Sequence, residues 1–450
     1  KELLMEGKAC IEHNDAQTIK NEFEGYRILD LVRMTEGLLD FSKICQREVI
    51  MANKLTRSLM SGQMILSIMG QFKRGKSSLI NTMLGKELLP VGIIPITSVV
   101  TRITKAKKED IAYVHYEDTT SKTVPITELS GFISEQENPD NLLGVESVEI
   151  KTSGKLLDKG IVVVDTPGVG SIHKHNSKSA YDFIKESDGV IFALSVDSPI
   201  NEIEITFLKS VREFAGRFYF VVNKIDVITK QDLESYINYC RKLLAGILET
   251  TEDRINIFPV SAKTAEGVEA LEDFILEDCT KKRDEIIEIS TKKRLNDIIE
   301  HGLTSSKLYW KTTGMANDPF NQRYEILENI LKFERSDSEK FIKEEHTKAE
   351  LAGKVNKIRK AMVDGIEQCF TIKYNYETGN ENVVDGDQKA TELEIDAYKK
   401  SVNAIFKDLE QTLKILIAYR QDDAVVVAKR LRNIHIIRDK LRLIQEIITR

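Results

Sequence analysis

The chain has 450 residues, too many for a single hydrophobic core, so we expect two or three domains. Its formal net charge of −6 excludes a bulk electrostatic attraction to nucleic acid. No apolar run approaches the roughly 18 residues of a membrane-spanning helix, and no secretory signal is visible, so we expect a cytoplasmic protein. The five cysteines lack C-x-x-C spacing, which favours reduced thiols over a zinc site.

The first periodic segment lies near the start of the chain. Apolar residues recur every three or four positions from Leu31 to Leu59. This spacing predicts one helix of about seven turns with a single apolar stripe. We therefore assign residues 1–59 to helices that precede the next domain.

A phosphate-binding loop follows this helix. The residues Gly70 to Ser77 spell G-x-x-x-x-G-K-S, between an apolar run at 64–69 that predicts a strand and a helix-forming segment that begins at Ser78. The glycines let backbone N–H groups wrap around a phosphate, and the helix N-terminus adds its positive dipole end. We expect Lys76 to reach the β- and γ-phosphates and Ser77 to ligate Mg²⁺.

Two later segments complete the phosphate and metal site. Thr97 follows the loop's helix and is expected to close on Mg²⁺ and the γ-phosphate, although a threonine that simply opens the next strand is the alternative. The β-branched run at 161–164 predicts a strand buried on both faces, and it leads into D-T-P-G. We expect Asp165 to hold Mg²⁺ through water and the Gly168 N–H to sense the γ-phosphate.

A third group of motifs indicates which base is bound. An apolar strand at 220–222 runs into N-K-I-D, a guanine-reading signature in which Asp226 accepts hydrogen bonds from two guanine nitrogens. Adenine would leave this carboxylate, which we expect to be buried, unpaired at a cost on the order of a few kcal/mol. A weaker motif follows another apolar strand: the backbone N–H groups near Ser261 and Ala262 are expected to contact the guanine oxygen, with Lys263 stacked on the ring.

These motifs alternate with strands and helices, which predicts an α/β GTPase domain with a mostly parallel sheet, GTP or GDP at the carboxyl ends of the strands, and Mg²⁺. We place the domain at residues 60–280, with added strands at 111–116 and 145–150. The expected nucleotide-binding residues are Gly70, Gly75, Lys76, Ser77, Ser78, Asp165, Gly168, Asn223, Lys224, Asp226, Ser261, Ala262 and Lys263. The expected metal ligands are Ser77, Thr97 and Asp165.

Catalysis needs a group that orients the attacking water. In Ras a glutamine directly follows the D-x-x-G glycine, but Val169 stands there and cannot orient water, so hydrolysis is slow or is completed by another group. Lys73 and Arg74 lie inside the phosphate loop, where a cation can swing onto the transferring phosphate like an arginine finger in cis. The alternative is that both are solvated loop charges. The expected catalytic residues are Lys73, Arg74, Lys76 and Thr97.

The region 281–450 is rich in Glu, Lys, Ile and Leu, contains one proline, and has predicted breaks at 312–321 and 376–386. Long helices on both sides of a domain pair by folding back on each other, so we expect an antiparallel helical bundle, a neck or stalk, built from both flanks. The last helix is basic from Lys429 to Arg442. It fits a membrane-surface element, but we favour a bundle helix with a solvated face.

Together these motifs resemble the dynamin superfamily. The chain has G-K-S-S in the phosphate loop, P-x-T at 95–97, D-T-P-G at 165–168 and N-K-x-D at 223–226, with helices on both sides. The stretch 70–101 is similar to bacterial dynamin-like proteins in particular. The resemblance implies a mechanochemical GTPase whose GTPase domains dimerise across the nucleotide face, which speeds hydrolysis, and whose helical neck transmits the nucleotide state to a membrane-contacting tip.

The resemblance also implies roles for individual residues. It assigns to Thr97 the positioning of the attacking water. Many dynamins carry a small residue at the position of Lys73, where it helps to bind a monovalent cation, so Lys73 departs from that pattern. The related guanylate-binding proteins hold an arginine finger at this loop position, which favours a similar part for Lys73 or Arg74.

Three classes of function compete. The leading hypothesis is a GTP-hydrolysing protein of membrane remodelling, tethering, fission or fusion. Its expected partners are a second copy, a dynamin-like hetero-partner and lipid at the inner face of the cell membrane, but not nucleic acid. An Era-like RNA or ribosome assembly factor is disfavoured, because a long, charge-balanced helical region stands in place of a small RNA-binding domain. A helical scaffold with a weak GTP switch stays open because of Val169.

Overall fold

The computed structural model describes residues 26–92, 99–106, 110–116, 118–134, 136–138, 141–168, 183–373, 392–421 and 423–449. Thr97, Val169 and the predicted break at 376–386 lie outside these residues. The chain divides into two compact units. The α/β unit comprises residues 62–293, and the helical unit comprises the residues up to 61 together with those from 294 onward.

The α/β unit is built on one sheet, which has nine strands within the described residues. The strands are, in chain order, β1 (Met64–Met69), β2 (Thr101–Lys105), β3 (Ile111–Tyr116), β4 (Ser121–Val124), β5 (Val145–Thr152), β6 (Ile161–Asp165), β7 (Gly189–Ser195), β8 (Arg217–Asn223) and β9 (Ile257–Pro259). Their spatial order is β4-β3-β5-β2-β6-β1-β7-β8-β9. Strand β1 pairs in parallel with β6 and β7, as do β7 with β8 and β8 with β9. The predicted α/β fold with a mostly parallel sheet is confirmed.

Helices make up most of the remaining described structure. They are, in chain order, α1 (Ile28–Ser42), α2 (Gln46–Ser61), α3 (Lys76–Leu84), α4 (Ser130–Ile133), α5 (Lys155–Asp158), α6 (Glu202–Arg212), α7 (Lys230–Leu248), α8 (Val268–Thr313), α9 (Asn317–Phe341), α10 (Lys348–Phe370), α11 (Glu392–Gln421) and α12 (Ala424–Thr449). Short 3₁₀ turns occupy Ile126–Glu128, Ile225–Val227 and Glu252–Arg254. Within α8 the backbone at Lys282 is non-helical, with φ −121° and ψ 17°, so a kink joins two helical segments. None of the described helices has the length and apolar character that a membrane span requires.

The central strands are buried on both faces. Every residue of β1, β6 and β7 is buried, as their continuous apolar runs predict for strands covered by helices. One core contains Leu66, Ile191 and Val221, and a second contains Phe192 and Phe220. Successive side chains of β7 and β8 therefore enter different cores, as the two-residue period of a strand requires.

Parallel pairing brings the predicted motifs to one edge of the sheet. Strand β1 ends at Met69, directly before the phosphate loop, and Ile68 pairs with Asp165 at the end of β6. Strand β8 ends at Asn223, which pairs with Ser195 at the end of β7. Because the carboxyl ends of parallel strands share an edge, the phosphate loop, the metal carboxylate and the guanine-reading motif lie together.

Antiparallel strands extend the sheet at its other side. The strand predicted at 111–116 coincides with β3, and the one predicted at 145–150 is β5, which continues to Thr152. The hairpin partner β4 was not predicted. Three of its four residues are exposed, so it lacks the apolar alternation that marks a half-buried strand.

In the helical unit, helices from both flanks share one core. Leu39 of α1 and Leu55 of α2 join Ile299 of α8 and Leu441 of α12 in one buried cluster. A second cluster contains residues of α9, α10 and α11, among them Phe406. The predicted helical bundle built from both flanks is therefore confirmed.

The prediction of a single upstream helix is wrong, because the segment forms two helices, α1 and α2. Lys43 ends α1 with a left-handed φ of 56°, and the Ser42 hydroxyl accepts a hydrogen bond of 3.2 Å from the Ile44 N–H. Both helices bury side chains in the same cluster. The apolar spacing therefore continues across the turn and conceals it.

Candidate nucleotide-binding site

The phosphate loop joins β1 to α3 through a backbone that requires glycine at two positions. Gly70 has φ +144°, and a Cβ there would lie 2.5 Å from the backbone oxygen of Ala193. Gly75 has φ +81°, and a Cβ there would lie 2.4 Å from Nδ2 of Asn223. Side chains do not approach other atoms this closely, so β7 and β8 leave room for this loop only if both residues are glycine.

Lys76, the lysine of the motif, is buried at the start of α3. Its Nζ donates hydrogen bonds to the backbone oxygens of Gly70 and Gln71, both at 3.2 Å. Burial lowers the pKa of Lys76 to about 8, although the carboxylates of Asp165 and Glu204 favour its charged form. A poorly solvated ammonium group gains strongly from an anionic neighbour, so this lysine suits a phosphate.

Ser77 and Asp165 place oxygen atoms beside each other at the end of the loop. The Ser77 hydroxyl donates a hydrogen bond of 2.7 Å to Oδ2 of Asp165, whose side chain is fully buried. Hydroxyl and carboxylate oxygens are ligands that Mg²⁺ prefers, and a buried carboxylate favours a cation nearby, so this pair fits Mg²⁺. Thr97, the third predicted ligand, lies outside the described residues.

The D-T-P-G segment lies directly against the phosphate loop. A Cβ on Gly168 would be 2.8 Å from the backbone N and Cα of Phe72 and 3.0 Å from Nζ of Lys76. The Thr166 hydroxyl donates a hydrogen bond of 2.8 Å to the backbone oxygen of Ile68, which ties the segment to β1. The segment that we expect to sense the γ-phosphate therefore begins in contact with the loop that would hold that phosphate.

Asn223 joins the phosphate loop to both guanine-reading motifs. Its side chain is buried, and Nδ2 donates a hydrogen bond of 3.0 Å to the backbone oxygen of Arg74. Its Oδ1 accepts hydrogen bonds from the backbone N–H groups of Lys224, at 2.8 Å, and Ala262, at 3.0 Å. One amide therefore fixes the positions of three loops relative to one another.

Asp226 is held by the neighbouring serine motif. The Ser261 hydroxyl donates a hydrogen bond of 2.7 Å to Oδ1 of Asp226. The Asp226 carboxylate is exposed rather than buried as we expected, so a penalty for adenine arises only when a bound base covers it. The N–H groups of Ser261 and Ala262 already bond to Glu266 and Asn223, so a guanine oxygen would compete with these acceptors.

The remaining predicted residues lie around the same site. Lys224 has a left-handed φ of 65°, and its Nζ donates a hydrogen bond of 2.6 Å to Oδ2 of Asp197. Lys263 is exposed, and Ser78 is half-buried in the first turn of α3. Among the described residues, the predicted phosphate, metal and base motifs therefore meet at one edge of the sheet.

The structure corrects the role that we predicted for Arg74. Its side chain is only 2% exposed and pairs with Glu204 through hydrogen bonds of 2.8 and 2.6 Å. Its Nη1 donates to Ser195 and to the Ser198 backbone oxygen, and its Nη2 donates to the Pro199 backbone oxygen. A guanidinium held through all three nitrogens cannot swing onto a phosphate, so the catalytic role that we expected for Arg74 is wrong.

Comparison with known proteins gives a family match for part of the chain. Residues 66–226 match the model of the dynamin family, a range that contains both the phosphate loop and N-K-I-D. The matched part of the α/β unit is therefore similar to the dynamin family. The predicted resemblance to the dynamin superfamily is thereby confirmed.

Individual relatives of this chain include bacterial proteins. An uncharacterized protein in the xynA 3'region of Caldicellulosiruptor sp. (strain Rt8B.4) is 38% identical over 266 residues, which cover 58% of this chain and 63% of that protein. Dynamin-like protein 2 of Campylobacter jejuni is 31% identical over 179 residues, which cover 40% of this chain and 28% of that protein. The chain thus spans less than two thirds of the length of these curated relatives.

A solved structure gives a weaker similarity. It belongs to an oligomerised bacterial dynamin pair described as a mechanism for the long-range sensing and tethering of membranes. The match covers 95% of this chain and 77% of that chain, at 14% sequence identity and a TM-score of 0.43.

Lys73 differs from its neighbour Arg74 in its surroundings. It is exposed, has a left-handed φ of 67°, and places its Nζ 5.4 Å from the centre of the Phe72 ring. A cation–π contact at an exposed site is weak enough to be exchanged for a stronger anionic partner. A catalytic part for Lys73 therefore stays a prediction.

Residues 195–204 were not among the predicted site residues, and we call them the bridging segment. It connects β7 to α6, and Nδ2 of Asn201 donates a hydrogen bond of 2.8 Å to Oε1 of Gln71 in the phosphate loop. Asn201 and Glu204 form the capping box that begins α6. That N-x-x-E pattern was visible in the sequence as a helix start, but nothing in it indicated that Glu204 is also the partner of Arg74.

Proposed function

We propose that the chain is a GTP-hydrolysing, dynamin-like protein that acts in membrane remodelling, tethering, fission or fusion. The observation that carries this proposal is the junction at Asn223, where one buried side chain holds the phosphate loop beside the guanine-reading motif. The dynamin-family match over residues 66–226 supports the membrane-related part of the proposal.

A few residues share the contacts to GTP. Lys76 and the loop backbone neutralise the β- and γ-phosphates, while Asp226 accepts the N–H groups that distinguish guanine from adenine. Ser77 and Asp165 would hold Mg²⁺, with Thr97 as a further ligand. When bound, Mg²⁺ supplies positive charge that stabilises the charge developing on the transferred phosphoryl group.

Hydrolysis depends on groups other than a water-orienting glutamine, since Val169 occupies that position. We propose that Thr97 positions the water and that Lys73, which is exposed, adds positive charge at the transferring phosphate. Association of two GTPase domains across the nucleotide face would order such an exposed lysine. Turnover should therefore rise when the domains dimerise.

The helical unit is proposed to act as the neck that passes the nucleotide state towards a lipid surface. We propose a GTPase domain at 60–280 and neck regions at 1–59 and 281–450, limits that the compact unit at 62–293 supports. The proposed partners are a second copy or a dynamin-like hetero-partner, and lipid at the inner face of the cell membrane. The net charge of −6 supports the exclusion of nucleic acid.

The test is phosphate release from GTP over a range of protein concentrations, alone, with anionic liposomes, or with RNA. We expect the activity per molecule to rise with protein concentration and with liposomes. Activity that is flat in both series would contradict the dynamin-like proposal, and stimulation by RNA alone would favour an RNA-assembly role. Ser77→Ala is the matched control, since loss of a proposed Mg²⁺ ligand should abolish turnover in every series.

A further inference from the structure

A buried charge lies inside the phosphate loop, where it does not face the phosphate site. The Arg74 guanidinium and the Glu204 carboxylate are almost completely buried and form a bidentate pair, with hydrogen bonds of 2.8 and 2.6 Å. A buried ion pair is expensive to desolvate and tolerates the loss of one partner poorly. Arginine suits such a pair because its planar fork fixes direction as well as distance.

The same guanidinium shapes the bridging segment. Its remaining donors reach the backbone oxygens of Ser195 and Ser198, at 3.3 and 2.7 Å, and that of Pro199, at 3.0 Å. Carbonyl groups that converge on one cation must turn inward together. Arg74 therefore sets the path of the chain between β7 and α6, while Glu204 anchors the start of α6.

The bridging segment in turn contacts the guanine-reading motif. Oδ2 of Asp197 accepts a hydrogen bond of 2.6 Å from Nζ of Lys224, and the Val196 N–H bonds to the backbone oxygen of Asn223 at 3.2 Å. The Tyr236 hydroxyl donates to the backbone oxygens of Ser195 and Ser198, at 3.0 and 3.1 Å. The segment is thus held by the phosphate loop on one side and by β8 and α7 on the other.

We infer that Arg74 and Glu204 are positioning residues, which hold the phosphate loop at a fixed distance from the guanine-reading motif. Asn223 bonds to the backbone oxygen of Arg74, so the side chain and the backbone of one loop residue both connect to the base-reading side. A nucleotide binds with full affinity only if the protein contacts its base and its phosphates at the same time. Loss of the pair should therefore weaken nucleotide retention, beyond any loss of stability.

This inference rests on the proposed guanine-nucleotide site. The experiment measures the release rate of fluorescent GDP and the thermal unfolding temperature for the wild type, Arg74→Met, Glu204→Gln and the double variant. We expect each single variant to release GDP about tenfold faster or more. The double variant should release GDP no faster than the faster of the two single variants, since the same Arg74–Glu204 ion pair is lost in all three. Arg217→Met is the matched control, because it removes a hydrogen-bonded ion pair with Asp278, at 2.7 Å, from the opposite end of β8.

The control should unfold at a lower temperature but release GDP at the wild-type rate. Folded Arg74 and Glu204 variants that release GDP at the wild-type rate would overturn the inference and leave the proposed function intact. Failure of the wild type itself to bind GDP would overturn both. If the pair variants do not fold, Asp197→Ala keeps the Arg74–Glu204 pair but removes the hydrogen bonds that Asp197 accepts from Lys224 and from the Ser195 hydroxyl. It should still speed GDP release, and a wild-type rate would overturn the inference.

Discussion

Nucleotide affinity should fall as the pH rises through the pKa of Lys76. Burial lowers this pKa to about 8, and a triphosphate bound beside the ammonium group would raise it again. Binding must therefore take up a proton whenever Lys76 is neutral in the free protein. Nucleotide affinity is therefore at its maximum well below the pKa that Lys76 has in the free protein, and it falls above that pKa.

The size of the effect follows from the charged fraction of Lys76. With a pKa of about 8, roughly nine tenths of the lysine is charged at about pH 7 and roughly one quarter at about pH 8.5. Affinity for a non-hydrolysable GTP analogue should therefore fall about fourfold between these two pH values, a loss of ~0.8 kcal/mol.

The assay is a binding titration with a fluorescent GTP analogue across this pH range, at constant ionic strength and saturating Mg²⁺. Lys76→Met is the matched control, because it removes the titrating group while the analogue's own titration remains. Its affinity is weaker throughout and should lack the fourfold fall. A wild-type affinity that is constant with pH, or that follows the slope of the control, would refute the link between the burial of Lys76 and phosphate binding.

Three substitutions test other parts of the site. Asp226→Asn should relax the preference for guanine and admit xanthine nucleotides, since an amide can donate to the carbonyl that xanthine carries in place of the guanine amino group. Competition binding measures this preference, and unchanged guanine-only binding would count against the role of Asp226. Gly168→Ala places a Cβ 2.8 Å from the Phe72 backbone, so affinity for the GTP analogue should drop about tenfold relative to GDP, whereas Gly246→Ala, with nothing within 4 Å, should change neither affinity. Lys73→Ala should lower kcat about tenfold or more at unchanged GTP affinity, and full turnover would dismiss its catalytic part.

The phosphate loop could be predicted because its chemistry demands fixed residue types at fixed spacing. Gly70 and Gly75 adopt backbone conformations that other residues rarely adopt, and Lys76 and Ser77 directly follow Gly75. These four residues, within eight positions of the sequence, together indicate a phosphate-binding loop. The sheet could be predicted for a similar reason, since strands buried on both faces appear as continuous apolar runs.

Arg74 could not be placed in the same way. A loop arginine has the same appearance in a sequence whether it is solvated, mobile or buried, and its partner Glu204 lies 130 residues further along the chain. Only the fold brings the two together. The turn between α1 and α2 was hidden for a different reason: Lys43 adopts a left-handed conformation without the glycine or proline that usually marks a helix end.

The central claim is a guanine-specific hydrolytic site in the α/β unit. Its most direct test is phosphate release by the wild-type chain in the presence of Mg²⁺, with GTP or ATP as the sole nucleotide, and with Ser77→Ala in parallel. We predict release from GTP, little release from ATP, and loss of GTP turnover in the Ser77 variant. Equal turnover of the two nucleotides, or no GTP turnover at any protein concentration, would contradict the claim.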